Sequence, residues 1–372
     1  MIDRPKELTA TRIIGLNLSK KTLVGCTLSR DSGFQKKSFF NEKMNEQGRN
    51  NLISRFKVGD AIFMEGGTSS FNLARYLLEH TASNVYVLNP MKLHIIFESI
   101  CKTDKQDAAK IAKYARDANP ENWVLIPIPT KEESADRALI KLHIAYSQLQ
   151  TKLINKLHAI FTGMGYPDLK KSDLKNPEKR QSCVDKLLKE DLAIFSANLL
   201  VHNIEVVESQ KEQIHSKIIQ ILLNHPKEAL AWLSIPGIGD ITAATLVAFI
   251  GNGERFSKAD QLRNYIGLIP RKDQSGSVDK QLSVSHFGCM PVRRHIIQAA
   301  WSIKNFNHNC SLTRYWQKLE KRGKFGQKTA VATANKMISI GFALLKNGEI
   351  YNMVDDEYLF KKLKRYKLEA LI

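Results

Sequence analysis

Acidic side chains are the scarce class in this 372-residue chain: 37 Asp and Glu stand against 56 Lys and Arg, a formal charge of +19. The shortage is uneven. Residues 226–372 hold 23 Lys and Arg but 12 Asp and Glu, a surplus of 11 positive charges. So concentrated a basic region points to a polyanionic partner, nucleic acid first, with plain solubility as the blander reading. Cysteine is sparse as well. Cys26, Cys101, Cys183, Cys289 and Cys310 are scattered with no C-x-x-C pair, which excludes a disulfide framework or zinc site and fits a reducing cytosol. No histidines pair at metal-ligand spacing, so His94, His202 and His286 read as structural or surface residues. Long apolar runs are missing. The longest, Ile241 to Gly251, contains two threonines and is too short to span a bilayer. The opening Met1-Ile2-Asp3-Arg4-Pro5-Lys6-Glu7 lacks the apolar core of a signal peptide. No repeat or low-complexity tract stands out. The expectation is a soluble, cytoplasmic protein with no membrane partner.

What is present begins with strands. Residues 12–19 and 22–29 read as a strand pair, 33–40 as a third strand, and 60–65 and 84–88 as later ones. Helical patterns cover 45–56, 70–80 and a region from Pro90 to Ala118. Three strands, then alternating helix and strand, describe an α/β layer covered on both faces. That order matches the ribonuclease H-like fold, whose acids converge on metal ions. Leu139, Leu142, Tyr146, Leu149, Leu153 and Leu157 recur at helical spacing, and a second long helix is expected from Ile194 to Leu223. Such a pair makes either an oligomerising coiled-coil arm or a hairpin packed on its own domain. Beyond 226 the chain reads as mostly α-helical, and Leu359 to Tyr366 as a basic, frayed tail that either touches nucleic acid or is simply solvated. The division expected is an α/β domain at 10–129, a helical arm at 130–225, a C-terminal domain at 226–350 and a tail at 351–372.

Three constellations carry chemistry. Asp104 and Asp107, in Lys102-Thr103-Asp104-Lys105-Gln106-Asp107-Ala108, are three apart and share one helix face. Two carboxylates held together repel unless a cation sits between them, and Mg²⁺ wants such oxygen ligands. Glu65, where a strand ends in Gly-Gly, offers a third carboxylate, while the first-strand position that should supply an acid holds Asn17. Asp104 could instead merely cap its helix. The second constellation is Pro236-Gly237-Ile238-Gly239-Asp240-Ile241-Thr242, the pattern of a helix-hairpin-helix element. There Gly237, Gly239 and the helix start near Thr242 let backbone amides reach a phosphate. A ligand-free glycine turn is the alternative. The third is Ser275, before a glycine in a loop flanked by Arg271, Lys272 and Lys280. The cations suit a transferring phosphoryl group, but a loop serine by itself reads as a solvated turn residue. Trp232, Trp301 and Trp316 read as core or interface.

With these segments in view, the chain resembles the DEDD transposases of the IS-one-ten and IS-eleven-eleven insertion-sequence type, relatives of the Piv DNA invertases. The matching segments are Gly15-Leu16-Asn17, Met64-Glu65-Gly66, Asn89-Pro90 and Lys102 to Ala108. In the second half they are Ile235 to Gly239, Phe256-Ser257, Gly267 to Pro270, Gln274-Ser275-Gly276 and Arg322-Gly323-Lys324. The resemblance implies a RuvC-like domain in which Glu65, Asp104 and Asp107 hold Mg²⁺, and a C-terminal domain whose Ser275 attacks DNA to form a covalent intermediate. It also implies a site with acids from one domain and the serine from another. The partners implied are the element's own DNA ends and target, a guide RNA from its non-coding end, and further copies in a dimer or tetramer, in a bacterial nucleoid setting. Asn17 departs from the family's aspartate, which lowers the charge available to metal and phosphate. Two rivals stand beside this expectation: a structure-selective RuvC-like nuclease, and a DNA- or RNA-binding remnant disabled at Asn17.

Overall fold

The computed structural model describes residues 5, 7, 9–96, 103–275, 278–284, 287–306, 310–352 and 356–371. The chain falls into two compact units, Met1–Glu132 and Glu133–Ile372.

The first unit is an α/β layer. In chain order it contains β1 (Arg12–Leu18), β2 (Thr22–Ser29), β3 (Lys37–Lys43), α1 (Glu46–Arg55), β4 (Asp60–Glu65), α2 (Ser70–His80), β5 (Asn84–Leu88), α3 (Pro90–Ile96), α4 (Asp104–Asp117) and β6 (Leu125–Ile126). The strands form one sheet in the order β3-β2-β1-β4-β5-β6. β1, β2 and β3 are antiparallel neighbours, β4 and β5 run parallel to β1, and β6 runs antiparallel to β5. Apolar residues alternate across the central strands and bury both faces. Ile13, Cys26, Phe63 and Leu88 pack against Ala108, Ile111 and Ala112 of α4. Ile14, Leu16, Ile62 and Met64 pack with Leu52 of α1 and Leu73 and Leu77 of α2. At the start of β4 the fully buried Asp60 accepts two hydrogen bonds from Arg12, at 2.8 and 2.5 Å, so its charge is paired where water is excluded.

Three details differ from the pattern read in the sequence. The third strand starts at Lys37 rather than at Gly33. A short 3₁₀ turn at Arg30–Ser32, with Gly33 and Phe34 at positive φ, reverses the chain first. β6 is only two residues long and offers no periodicity to read. The helical region after Pro90 divides into α3 and α4, with residues 97–102 outside the described set.

The second unit is helical. Its elements are α5 (Lys131–Gly163), α6 (Pro177–Leu187), α7 (Asp191–Asn224), α8 (Pro226–Leu233), α9 (Asp240–Ile250), α10 (Ala259–Ile266), β7 (Pro270–Ser275), β8 (Val278–Val284), α11 (Met290–Phe306), α12 (Ser311–Lys321), α13 (Gln327–Asn347) and α14 (Asp356–Arg365). α5 and α7 pack on one another within the chain. At one end Ile154, Leu157, Phe161, Val184, Ala197 and Val201 make a core of their own, with α6 as its lid. The fully buried Arg180 of α6 ties that end to Glu208 of α7 through two bonds of 3.1 and 2.9 Å. At the other end Ile140, Ile214, Ile218 and Leu222 join the larger core around Trp232, Ile238, Leu246 and Ile296. An apolar stripe on α7, Leu192, Phe195 and Leu199, remains exposed.

The chain after 226 is mostly helical, as read, with β7 and β8 forming an antiparallel hairpin within it. One sequence expectation changes here. The C-terminal basic stretch is not frayed: α14 and the turn after it bury Leu363, Leu368 and Leu371. Lys361, Lys364 and Arg365 lie on the outer side of an amphipathic helix, so composition alone reads as a solvated tail. Trp232 and Trp316 are buried and Trp301 stacks at a tilt on Trp316, as expected of core residues. Among the described residues no helix is long and apolar enough to cross a membrane.

Candidate functional site

In the first unit the fold brings together residues far apart in sequence. Gly15 is the reason α4 can lie directly on β1. A Cβ at this position would overlap the Ala108 carbonyl and the Ala112 amide of α4, so only glycine permits the approach. Asn17, two residues further along β1, points to the same side as Gly15. The Asn17 amide accordingly donates to the Asp104 carboxylate at 3.2 Å across 87 residues of sequence. Asp104 opens α4, where Thr103 is the N-cap and accepts from the Gln106 amide. Thr103 therefore takes the capping role, and Asp104 is free to turn towards Asn17. Asp107, one turn on, lies 3.6 Å from the Lys110 ammonium. Glu65 ends β4 in an exposed position, one residue past the Leu16–Met64 pair that joins β4 to β1.

These donors suit a hard cation in kind, since each offers oxygen. In the arrangement seen, two of them have substitutes for a cation: an amide N–H on Asp104 and an ammonium on Asp107. Among the described residues, no three His, Cys, Asp or Glu stand close enough together to hold a metal ion.

In the second unit Ser275 is the last residue of β7, paired with Val278 at the tip of the hairpin. It therefore sits on a strand end and not in an open loop. Gly276 and Ser277 are outside the described residues. Arg271 and Lys272 lie on β7, and Lys280 pairs in register with Asp273. The stem of this hairpin is held from both sides. Arg293 of α11 donates to the Ile266 carbonyl at 3.1 Å and also to the Phe287 carbonyl. Asn335 of α13 donates to the Leu268 carbonyl at 2.9 Å.

The glycine turn between α8 and α9 has the expected form. Gly237 has φ +83, and a Cβ there would crowd the Ala299 carbonyl at 2.7 Å. The structure separates the residues read together in the sequence. Gly237 and Gly239 line a cavity of about 440 Å³ shared with α14. Thr242 lines another, of about 270 Å³, with His143, Arg294 and His295.

That second cavity adjoins a histidine group with no signature in the sequence, because its members come from three helices. His215 of α7 lies 2.5 Å from Asp240 of α9. Burial lowers the His143 pKa to about 4, helped by Lys211, His295 and His215 and opposed by Asp240. Burial also lowers His295, against the pull of its hydrogen bond to the Pro291 carbonyl.

The molecule is thus an α/β layer with oxygen donors at its strand ends, joined in sequence to a basic helical unit that presents a serine-tipped hairpin. Residues 231–316 match the model of the Transposase IS116/IS110/IS902 family. Over 355 residues the chain is 26% identical to the pilin gene-inverting protein of Moraxella bovis, covering 91% of this chain and 97% of that protein. The Moraxella lacunata pilin gene-inverting protein matches at the same identity and coverage. The transposase of insertion sequence element IS1111A from Coxiella burnetii is 25% identical over 259 residues, covering 67% of this chain and 68% of that protein. The resemblance read from the sequence holds: the chain is similar to the IS110 and IS1111 transposases and to the pilin gene-inverting proteins.

Proposed function

We propose that the protein is a DNA recombinase of an insertion sequence, a transposase that cuts and rejoins DNA through a serine ester. The observation that carries this reading is the meeting of Asn17 and Asp104 beside the end of β4, where Glu65 lies. It is supported by the strand order, which suits a ribonuclease H-like, RuvC-like domain at 10–129, and by similarity spanning both units. The arm is assigned to 130–225, the transposase domain to 226–350 and the basic tail to 351–372.

In the reaction proposed, the Ser275 hydroxyl oxygen attacks a DNA phosphorus. One P–O bond to the strand breaks, one P–O bond to serine forms, and the hydroxyl proton passes to the departing strand oxygen. A strand hydroxyl at the new junction then attacks the seryl phosphodiester and restores the serine. Each step exchanges one ester for another, so no external energy source enters. Serine is a poor nucleophile until its charge is stabilised, and Arg271, Lys272 and Lys280 supply cationic groups on the hairpin that bears it. Glu65, Asp104, Asp107 and the carbonyl of Asn17 would hold Mg²⁺, which when bound supplies Lewis-acid stabilisation of the phosphate charge. For that role the Asn17 amide must turn its oxygen inward and release Asp104. Further parts of the reading are an element-derived guide RNA, assembly of two or four copies, and action at the bacterial nucleoid.

The Asn17–Asp104 bond also favours a second reading, a copy impaired in cleavage. An amide N–H neutralises part of a carboxylate's charge without contributing any charge to hold a metal. Both readings are tested by covalent capture of labelled element-end DNA, with its adjoining RNA and Mg²⁺, by the native chain, Asn17→Asp and Ser275→Ala. A denaturant-resistant adduct, abolished by Ser275→Ala, is the expected outcome. An adduct seen only with Asn17→Asp assigns the impairment to that residue. Hydrolysed DNA with no adduct in either serine-bearing protein sinks the serine mechanism in favour of a RuvC-like nuclease.

A further inference from the structure

The last helix packs on the glycine turn and lines a cavity with it. α14 is held against the turn by the buried Leu363, and by Lys362 Nζ, which donates to the carbonyls of Leu233 at 2.5 Å and Ile235 at 3.1 Å. Those carbonyls belong to the end of α8 and the approach to the turn, where a cation complements the helix terminus. The docking leaves the cavity of about 440 Å³ with the turn on one wall and α14 on the other. Lys361 and Arg365 are four apart on α14, so they share a helix face, and both line the cavity. Ser302 of α11 adds a hydroxyl, and the Tyr366 hydroxyl stands 3.1 Å from where a Cβ on Gly239 would be.

The charge in this cavity is not balanced from within. Glu357 pairs with Lys361 at 2.6 Å, but both side chains are well exposed and separated by one helical turn, a pair that exchanges readily with another anion. Asp240 is held by His215. Lys362 is turned inward onto the Leu233 and Ile235 carbonyls, and burial lowers its pKa to about 7 against the pull of Asp240, so Lys361 and Arg365 carry the cavity's standing positive charge. Cations drawn together beside tyrosine rings suit a phosphate with an attached sugar better than a bare carboxylate.

We propose that α14 and the Pro236–Gly239 turn form a phosphodiester-binding site, in which Lys361 and Arg365 hold adjoining phosphates of a nucleic-acid backbone and Tyr366 lies against the sugar between them. The proposal rests on the reading of the protein as one that acts on nucleic acid. Lys361 and Arg365 are exposed, so replacing them leaves the core intact.

The test is equilibrium binding of the full chain to a short labelled DNA duplex and, separately, to a labelled RNA hairpin, over a range of salt. The proteins compared are the native chain, Lys361→Gln/Arg365→Gln, and Lys364→Gln/Lys367→Gln. The last carries the same charge change on exposed residues that do not line the cavity. The cavity variant is expected to bind at least about tenfold more weakly and to lose about two from the slope of log affinity against log salt. The control is expected to keep most of that slope. Loss on DNA alone assigns the site to the duplex, and loss on RNA alone to the RNA. Equal losses in the two variants, or none in the first, overturn the proposal while native binding persists. If the native chain binds neither nucleic acid, the reading beneath it fails too.

Discussion

The residues that matter most here are those whose neighbours oppose their charge. His143 is the clearest case. Its Nδ1 is buried with no hydrogen-bond partner, and Lys211, His215 and His295 all resist its protonation while Asp240 favours it. Its pKa falls from the ordinary 6.5 to about 4. The unfolded chain therefore takes up the proton near pH 6.5, which the folded chain refuses until about pH 4. Stability from this site is complete above pH 6.5 and declines as the pH drops towards 4. Melting temperatures measured across that window should fall less steeply for His143→Leu than for the native chain. Parallel curves would remove His143 as the cause. Nothing in the sequence marks this residue, because its four neighbours come from α7, α9 and α11. Asn17, in contrast, was legible as the odd member of an acidic set, although its bond to Asp104 was not.

Elements place these residues, and their legibility tracks the length of the pattern. The central strands and α1, α2 and α7 carry enough alternation or helical spacing to be read directly. β6, two residues long, carries none. α14 is hidden in composition because six of its ten residues are Lys, Arg, Asp or Glu, while the leucines that pin it lie within and just beyond it. The serine hairpin reads as a loop in the sequence, since its two strands are polar and its flanks are held by side chains distant in sequence. Asn335 is one of those, and it yields a test at this scale. Asn335→Ala removes a single donor to the Leu268 carbonyl, costing about 1 kcal/mol of stability. A loosened stem should slow covalent capture by Ser275 several-fold while the melting temperature moves only a few degrees. An unchanged capture rate would show that Asn335 does not position the serine.

For the whole molecule, charge was the most accessible signal and the least specific. The +19 balance pointed to a polyanion without showing where it would lie. The distribution of the cores was not accessible at all, because each depends on which distant segments meet. The arm of α5 and α7 is the case with the widest consequence. Its outer end has a core of Leu157, Phe161, Ala197 and Val201 closed by α6, while its inner end belongs to the core around Trp232. Between them lies a polar stretch in which Gln150 donates to Glu208 and accepts from Lys211. Two apolar clusters joined by such a stretch need not melt as one cooperative unit. Native-state hydrogen exchange should find amides near Phe161 and Val184 opening at a lower free energy than those of α9 and α13. A common opening free energy would refute this. If the arm does open first, its tip is an energetic fuse that can let go and re-form while the serine-bearing half of the chain stays folded.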